Sequence, residues 1–300
     1  MIKHILVPLD GTSLAEVVLP VAKSLASLLG AQVTLLHLIE ETLTPLIHGE
    51  KHLKDQVEAE CYFENIVLQF RASNISCNFH VHNEKIPELA GGIVAHEEEL
   101  RPDLIIMCTH GPESVERLLW GSKAQQVIAQ GKTPLLLLRP ESRTAQDSFT
   151  LNRILVPLDG TSEHEGGFTF AADMAEAGMA ELHLLAVVPE VFSLAGRPAS
   201  LSRYLPGTFW AMEGITIKSL EKYLENMLTR TDARGITATG EIRHGKVVKM
   251  ICETADGINA DLIVLATHGK AGTEAFWANS TAAQVQKRTT RPLLLYPVQE

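Results

Sequence analysis

Residues 5–13 read ILVPLDGTS, and residues 154–162 read ILVPLDGTS again, 149 positions later. An identity of that length at a domain-sized spacing is the mark of a duplicated domain, because solenoid repeats recur every 20–50 residues or so. Two further runs continue the repeat at a spacing of 158. Asp103-Leu104-Ile105-Ile106 through Thr109-His110-Gly111 returns as Asp261-Leu262-Ile263-Val264 through Thr267-His268-Gly269, and Pro134–Leu137 returns as Pro292–Leu295. The length of 300 residues agrees, since about 150 residues per domain is common. The copies are assigned to residues 1–140 and 151–300, with the polar stretch 141–150 as linker.

Within each copy, short apolar runs alternate with longer amphipathic segments. In copy one the runs are Ile5–Pro8, Val33–Ile39, Asn78–Val81, Leu104–Cys108 and Leu135–Leu138. In copy two they are Ile154–Pro157, Leu182–Val188, Thr239–Ile242, Leu262–Ala266 and Leu293–Leu295. Runs that are apolar without alternation suit strands covered on both faces. The segments Leu14–Leu29, His52–Ala72, Ile86–Glu99 and Ser122–Ala129 carry helical patterns. The expectation is an α/β chain of two tandem doubly wound domains, each with a five-stranded parallel sheet. The last strands, Leu135–Leu138 and Leu293–Leu295, are expected to meet as an intramolecular pseudo-dimer, which would cover two exposed edges and leaves room for a further homodimer.

The copies are unequal. Asn74-Ile75-Ser76 matches Gly235-Ile236-Thr237 at a spacing of 161, so copy two carries twelve extra residues after its second strand. They fall within Phe192–Gly214, a Gly-, Pro- and Ser-rich stretch with Tyr204, Phe209 and Trp210, read here as a packing loop in preference to a lid.

Charge excludes some functions. With 36 acidic against 26 basic side chains the net charge is −10, and phosphate-backbone or acidic-membrane binding needs clustered Lys and Arg. Nucleic acid and membrane are therefore not expected partners. No run approaches the roughly 18 apolar residues of a membrane span, and the opening residues do not read as a signal peptide, so a cytoplasmic protein is expected. The cysteines Cys61, Cys77, Cys108 and Cys252 form no CxxC pair and are read as buried, reduced thiols.

In open α/β sheets ligands bind beyond the carboxyl ends of the strands, where the strand order reverses. After the first strand, Pro8-Leu9-Asp10-Gly11-Thr12-Ser13 ends a strand and starts a helix capped by Thr12 or Ser13. Asp10 and Asp159 are placed either to accept from a ligand donor or to form the turn. After the fourth strand, Cys108-x2-Gly111-x9-Gly121-Ser122 opens the last helix of copy one. Glycines admit an anion close to the backbone, and free amides at a helix start complement negative charge.

Other patterns are weaker. Gly131-Lys132-Thr133 looks like the end of a Walker A loop, but Gln126 stands where the leading glycine belongs and a strand follows. His48 with His52, and His80 with His82, could each share a face; two imidazoles without a third ligand in register read as surface residues, so no metal site is assigned. Glu97-Glu98-Glu99 reads as a solvated helix end.

Taken together, the repeated ILVPLDGTS, the Asp-Leu-Ile before Thr-His-Gly, and the final Gly-Ser helix with its Pro-Leu-Leu-Leu strand resemble the universal stress protein family, in its tandem two-domain form. The resemblance covers both halves nearly end to end. It implies a Rossmann-like, adenine nucleotide α-hydrolase-like fold and, in members with Gly-x2-Gly-x9-Gly-Ser/Thr, ATP binding. Copy one has cysteine for the first glycine; copy two reads Ala266-x2-Gly269-x9-Asn279-Ser280. By resemblance, Asp10 and Asp159 would contact the adenine, Leu38 and Val187 would line the base pocket, and Gly111, Gly121 and Ser122 would hold phosphates with Lys123 nearby. Pro8, Leu9, Met107, Cys108 and His110 complete the first site. Pro157, Leu158, Ala266, His268, Gly269, Asn279, Ser280 and Thr281 are their less complete counterparts. A Mg2+ or Mn2+ ion would be held by the phosphates themselves. The sequence shows no clear general base, so a regulator or binding module with little or no turnover is expected. The alternatives are a slow ATPase or other nucleotide-processing enzyme, or a partner-binding scaffold with vestigial nucleotide sites.

Overall fold

The computed structural model describes residues 2–40, 46–47, 50–51, 53, 55–109, 122–140, 149–189, 206–268 and 280–298. The elements of copy one are β1 (His4–Pro8), α1 (Ser13–Glu16), α2 (Leu19–Leu29), β2 (Gln32–Glu40), a short hairpin of β3 (Leu46–Ile47) and β4 (Glu50–Lys51), α3 (Gln56–Arg71), β5 (Cys77–Ile86), α4 (Leu89–Leu100), β6 (Leu104–Cys108), α5 (Ser122–Gln130) and β7 (Leu135–Leu138). Those of copy two are β8 (Arg153–Leu158), α6 (Glu165–Gly178), β9 (Glu181–Pro189), α7 (Pro206–Asp232), β10 (Ala238–Gly245), α8 (Val247–Gly257), β11 (Leu262–Thr267), α9 (Thr281–Arg288) and β12 (Leu293–Pro297).

The apolar runs become central strands because both faces are covered. Ile5, Leu6 and Val7 of β1 are fully buried, as are Leu104, Ile105 and Ile106 of β6. In copy one the parallel order is β7-β6-β1-β2-β5, and in copy two it is β10-β9-β8-β11. The first strand of each copy thus lies between its second and fourth, which places the reversal of strand order at the carboxyl ends of β1 and β8.

Contacts group the chain into two compact units. One comprises residues 1–150, 267–277 and 290–300; the other comprises 151–266 and 278–289. In the first unit β12 runs antiparallel to β7, with Leu294 opposite Leu136, its own counterpart in the repeat.

Local differences from the sequence reading have physical causes. The helix expected over Leu14–Leu29 is broken at Val17–Val18. Pro20 has no N–H to donate to Glu16 and its ring would strike that carbonyl, so the chain restarts as α2 with proline in its first turn. The stretch expected as a packing loop is helical over residues 206–214, where α7 begins. The insertion therefore lengthens a helix to 27 residues, against 16 for α3; residues 192–205 lie outside the described residues. All four cysteines are free, but only Cys77 is buried, its thiol pushed up to about 11 by that burial. Cys61 is exposed on α3. Glu97 is also unlike the expected solvated helix end: it is buried, and its Oε1 accepts the Lys132 amide at 2.6 Å. Gly131-Lys132-Thr133 is the turn between α5 and β7.

Candidate functional site

The turn after β1 is built by short-range polar contacts. Asp10 Oδ1 accepts from the Thr12 amide at 2.9 Å and the Thr12 hydroxyl at 2.7 Å, closing an Asx-type turn. Thr12 Oγ1 in turn accepts the Ala15 amide at 3.2 Å and caps α1. Gly11 sits at φ +88°, and a Cβ there would lie 2.5 Å from Leu53 Cγ, so glycine is required both by conformation and by space. The Leu53 amide donates to the Asp10 carbonyl at 3.1 Å, fastening the covering residue to the turn. Below it, buried His37 donates from Nδ1 to the Leu9 carbonyl at 2.9 Å.

Leu9, Leu38 and Met107 are buried, Pro8 and Cys108 half-buried. Leu38 lies against α4, where a Cβ on Gly92 would come within 2.9 Å of Leu38 Cδ1. Helix α1 packs on β6, which brings the Asp10 turn beside the strand carrying Met107 and Cys108. Ser122 and Lys123 form the first residues of α5, with Lys123 half-buried. His110, Gly111 and Gly121 lie outside the described residues.

Copy two repeats the turn and then alters it. Asp159 Oδ1 accepts from the Thr161 amide at 3.0 Å and hydroxyl at 2.7 Å, and Gly160 has φ +84°. Leu220 of α7 covers this glycine as Leu53 covers Gly11. The difference is His164, whose Nδ1 lies 2.6 Å from Asp159 Oδ2; the equivalent position in copy one is Ala15. Burial alone would raise the Asp159 pKa, but the Thr161 and His164 contacts outweigh it and hold the carboxyl below its usual range. Pro157, Val187 and Ala266 are half-buried, Leu158 is buried, and His268 is exposed. Ser280 caps α9 through the Ala283 amide at 3.1 Å, and exposed Thr281 follows it. Gly269 and Asn279 lie outside the described residues.

A lowered carboxyl pKa stabilises the fold above the unfolded-state value near 3.9 and loses that contribution as pH falls through the folded value. Asp159→Asn should therefore flatten the acid limb of stability below about pH 4, by less than about 1 kcal/mol because the side chain is half exposed. Urea midpoints at pH 3 and pH 6 check this. An acid limb as steep in the variant as in the parent protein would contradict it.

Sequence reasoning passed over one pair beside each turn. Tyr62 of α3 donates its hydroxyl to Glu16 Oε1 at 2.9 Å, and burial followed by the Glu16 contact raises its pKa. The pair recurs as Tyr223 and Glu165 at the repeat spacings of 161 and 149, a signal that was available in the sequence. In copy two Glu165 receives Arg230 Nη1 at 2.6 Å, and burial with the Glu165 and Asp159 charges pushes Tyr223 up to about 12.

Comparisons with known proteins agree with this architecture. The model of the universal stress protein family matches residues 1–139 and 150–297. A universal stress protein of Methanocaldococcus jannaschii is 30% identical over 158 residues, covering 46% of this chain and 96% of the relative. One from Synechocystis is 29% identical, covering 48% and 84%. Among solved structures, a universal stress protein of Archaeoglobus fulgidus aligns with a TM-score of 0.69 at 18% identity, covering 99% of this chain and 97% of that one. A functionally unknown protein of Pseudomonas aeruginosa aligns at 0.70 and 17% identity, covering 99% and 93%. No helix among the described residues is long and apolar enough to cross a membrane.

Proposed function

Because the chain belongs to the universal stress protein family, we propose that it is a stress-response protein whose first copy binds ATP or another adenine nucleotide and acts as a regulator with little or no turnover. The observation that carries the proposal is the Asp10 turn. It presents a carboxylate at the carboxyl end of β1, at the reversal of strand order, beside the β6 end. There Asp10 would accept from the adenine amino group or a ribose hydroxyl, with Leu38 beneath the base. Ser122 and the amides opening α5 would meet phosphate, helped by Lys123 and the helix dipole. A Mg2+ or Mn2+ ion would be carried by those phosphates and would neutralise part of their charge.

Local amides are the means available for holding a phosphate here, since the net charge of −10 supplies no general positive field. The second copy is proposed to bind more weakly or not at all, because His164 already occupies Asp159. Heat release of co-purified nucleotide, read by its ultraviolet spectrum, tests the proposal. An adenine spectrum is the expected result. The absence of both released nucleotide and any thermal shift with millimolar ATP, with or without magnesium, would refute it.

A further inference from the structure

Among the described residues, His80, His82 and His96 bring one ligand atom each to within 4.8 Å of one another. His80 and His82 stand two apart on β5, which among the described residues pairs with β2 alone, so both rings lie on the same face. The opposite face is occupied differently: Phe79 stacks on Phe63 of α3, with ring centroids 5.6 Å apart. His96 comes from α4, which returns across the face carrying the two histidines. Its ring centroid lies 5.0 Å from each of theirs.

The tautomer of His96 follows from its partner. Nδ1 lies 2.7 Å from the Gly92 carbonyl, which can only accept, so in the neutral ring Nδ1 carries the proton and Nε2 keeps its lone pair. That Nε2 faces His80 Nε2 at 3.2 Å. A single shared proton can join two such atoms, and so can a cation bound to both. Zn–N bonds of about 2.0–2.1 Å at a tetrahedral angle place two ligand nitrogens about 3.3 Å apart. The observed separation fits. Glu99, one turn beyond His96, brings Oε2 to 4.0 Å from its Nε2.

The second copy supplies an internal comparison. Strand register places Glu241 and Arg243 opposite Leu185 and Val187, as His80 and His82 stand opposite Leu36 and Leu38. At the repeat spacing of 158, His96 corresponds to Thr254. In copy two these three positions satisfy one another. Arg243 Nη1 donates to Thr254 Oγ1 at 2.9 Å, and Thr254 Oγ1 donates to Glu241 Oε1 at 3.4 Å. Copy one has three imidazoles at these positions instead.

We propose that His80, His82 and His96 form a binding site for a divalent transition-metal ion of the zinc class, on the edge of the first copy. The Gly92 carbonyl is the outer partner that fixes the His96 ring, the usual arrangement behind a metal-bound histidine. The helix bearing it is held close to the sheet, since a Cβ on Gly92 would come within 2.6 Å of Ile86 Cδ1. His96 is buried while His80 and His82 are partly exposed, so the ion enters from the open edge. Glu99 or water completes the coordination. His48 and His52, the other spaced pair, lie outside the described residues.

The test uses untagged full-length protein stripped with a chelator. Zn2+ is titrated calorimetrically, and Co2+ is followed by its visible absorption bands. One equivalent of Zn2+ with micromolar or tighter affinity is expected, together with Co2+ bands typical of four- or five-coordination. The H80E/H82R/H96T protein, which carries the copy-two residues, is expected to bind at least about 100-fold more weakly, roughly two decades of affinity. H82N, a change on the open edge of the sheet, is the second variant and is expected to lose at least about tenfold. Absence of stoichiometric Zn2+ in the parent protein would mean that the rings share only a proton, and would overturn the proposal. So would unchanged affinity in H82N or in the triple variant, which would place the ion elsewhere.

Discussion

In an Asp10→Ala protein, affinity for ATP is expected to fall about 10- to 100-fold, the loss that follows from removing a hydrogen bond to a charged group worth roughly 1.5–3 kcal/mol. The carboxylate has two tasks in this account. One oxygen gathers the Thr12 amide and hydroxyl and so holds the start of α1, and the group as a whole faces the ligand. Asp10→Asn separates the tasks, because an amide oxygen still accepts from Thr12 but carries no charge. It should keep the stability of the parent protein to within about 1 kcal/mol while still weakening ATP. Asp159→Ala should alter total nucleotide binding by less than about twofold, since in that copy His164 already holds the second carboxylate oxygen. Isothermal titration of the three variants measures all of this. Equal losses from Asp10→Ala and Asp159→Ala would show that the copies are functionally equivalent, against the inequality argued above.

Gly11→Val should destabilise the first copy by about 3 kcal/mol or more. A β-branched residue at positive φ costs about 1–3 kcal/mol, and overpacking a filled site costs a similar amount. Both apply at once, because φ is +88° and the new Cβ would fall 2.5 Å from Leu53 Cγ. For a domain of this size that is a drop of roughly 6–12 °C in Tm. Gly30 provides the comparison: it has φ +61° but nothing within 4 Å of its would-be Cβ. Gly30→Ala should therefore lose only the conformational part, about 1 kcal/mol. In a Leu53→Ala background, Gly11→Ala should lose only the conformational part. Differential scanning calorimetry distinguishes the two components; equal losses at Gly11 and Gly30 would show that the Leu53 contact is not limiting.

The sheet was legible because its information is local. Runs such as Ile5–Pro8 and Leu104–Cys108 are apolar without alternation, and a chain written twice supplies each strand with a second witness. The helix boundaries were less legible for reasons that are themselves local but compete. The apolar pattern over Leu14–Leu29 favours one helix, whereas Pro20 denies it a hydrogen bond and wins. The start of α7 was hidden for the opposite reason: Pro206 and Gly207 read as loop residues, yet proline is well tolerated in a first helical turn.

The polar groups divide in the same way. Thr12 as cap and Asp10 as turn former follow from adjacent residues and were readable. The Glu16–Tyr62 pair spans 46 positions and is announced only by its recurrence as Glu165 and Tyr223. His96 stands 16 residues from His80 and on a different kind of element, so no spacing rule connects them. Glu97 is buried for a tertiary reason too, because the turn at Gly131–Lys132 presents an amide to it.

The central claim is that a duplicated fold carries one working adenine-nucleotide site, in its first copy. Its most direct measure is the stoichiometry of ATP on full-length protein freed of bound nucleotide, by equilibrium dialysis or calorimetry with magnesium present. The expected result is one high-affinity equivalent per chain, weakened about 10- to 100-fold in Asp10→Ala and unchanged in Asp159→Ala. Two equal equivalents, or an affinity unchanged in Asp10→Ala, would contradict it.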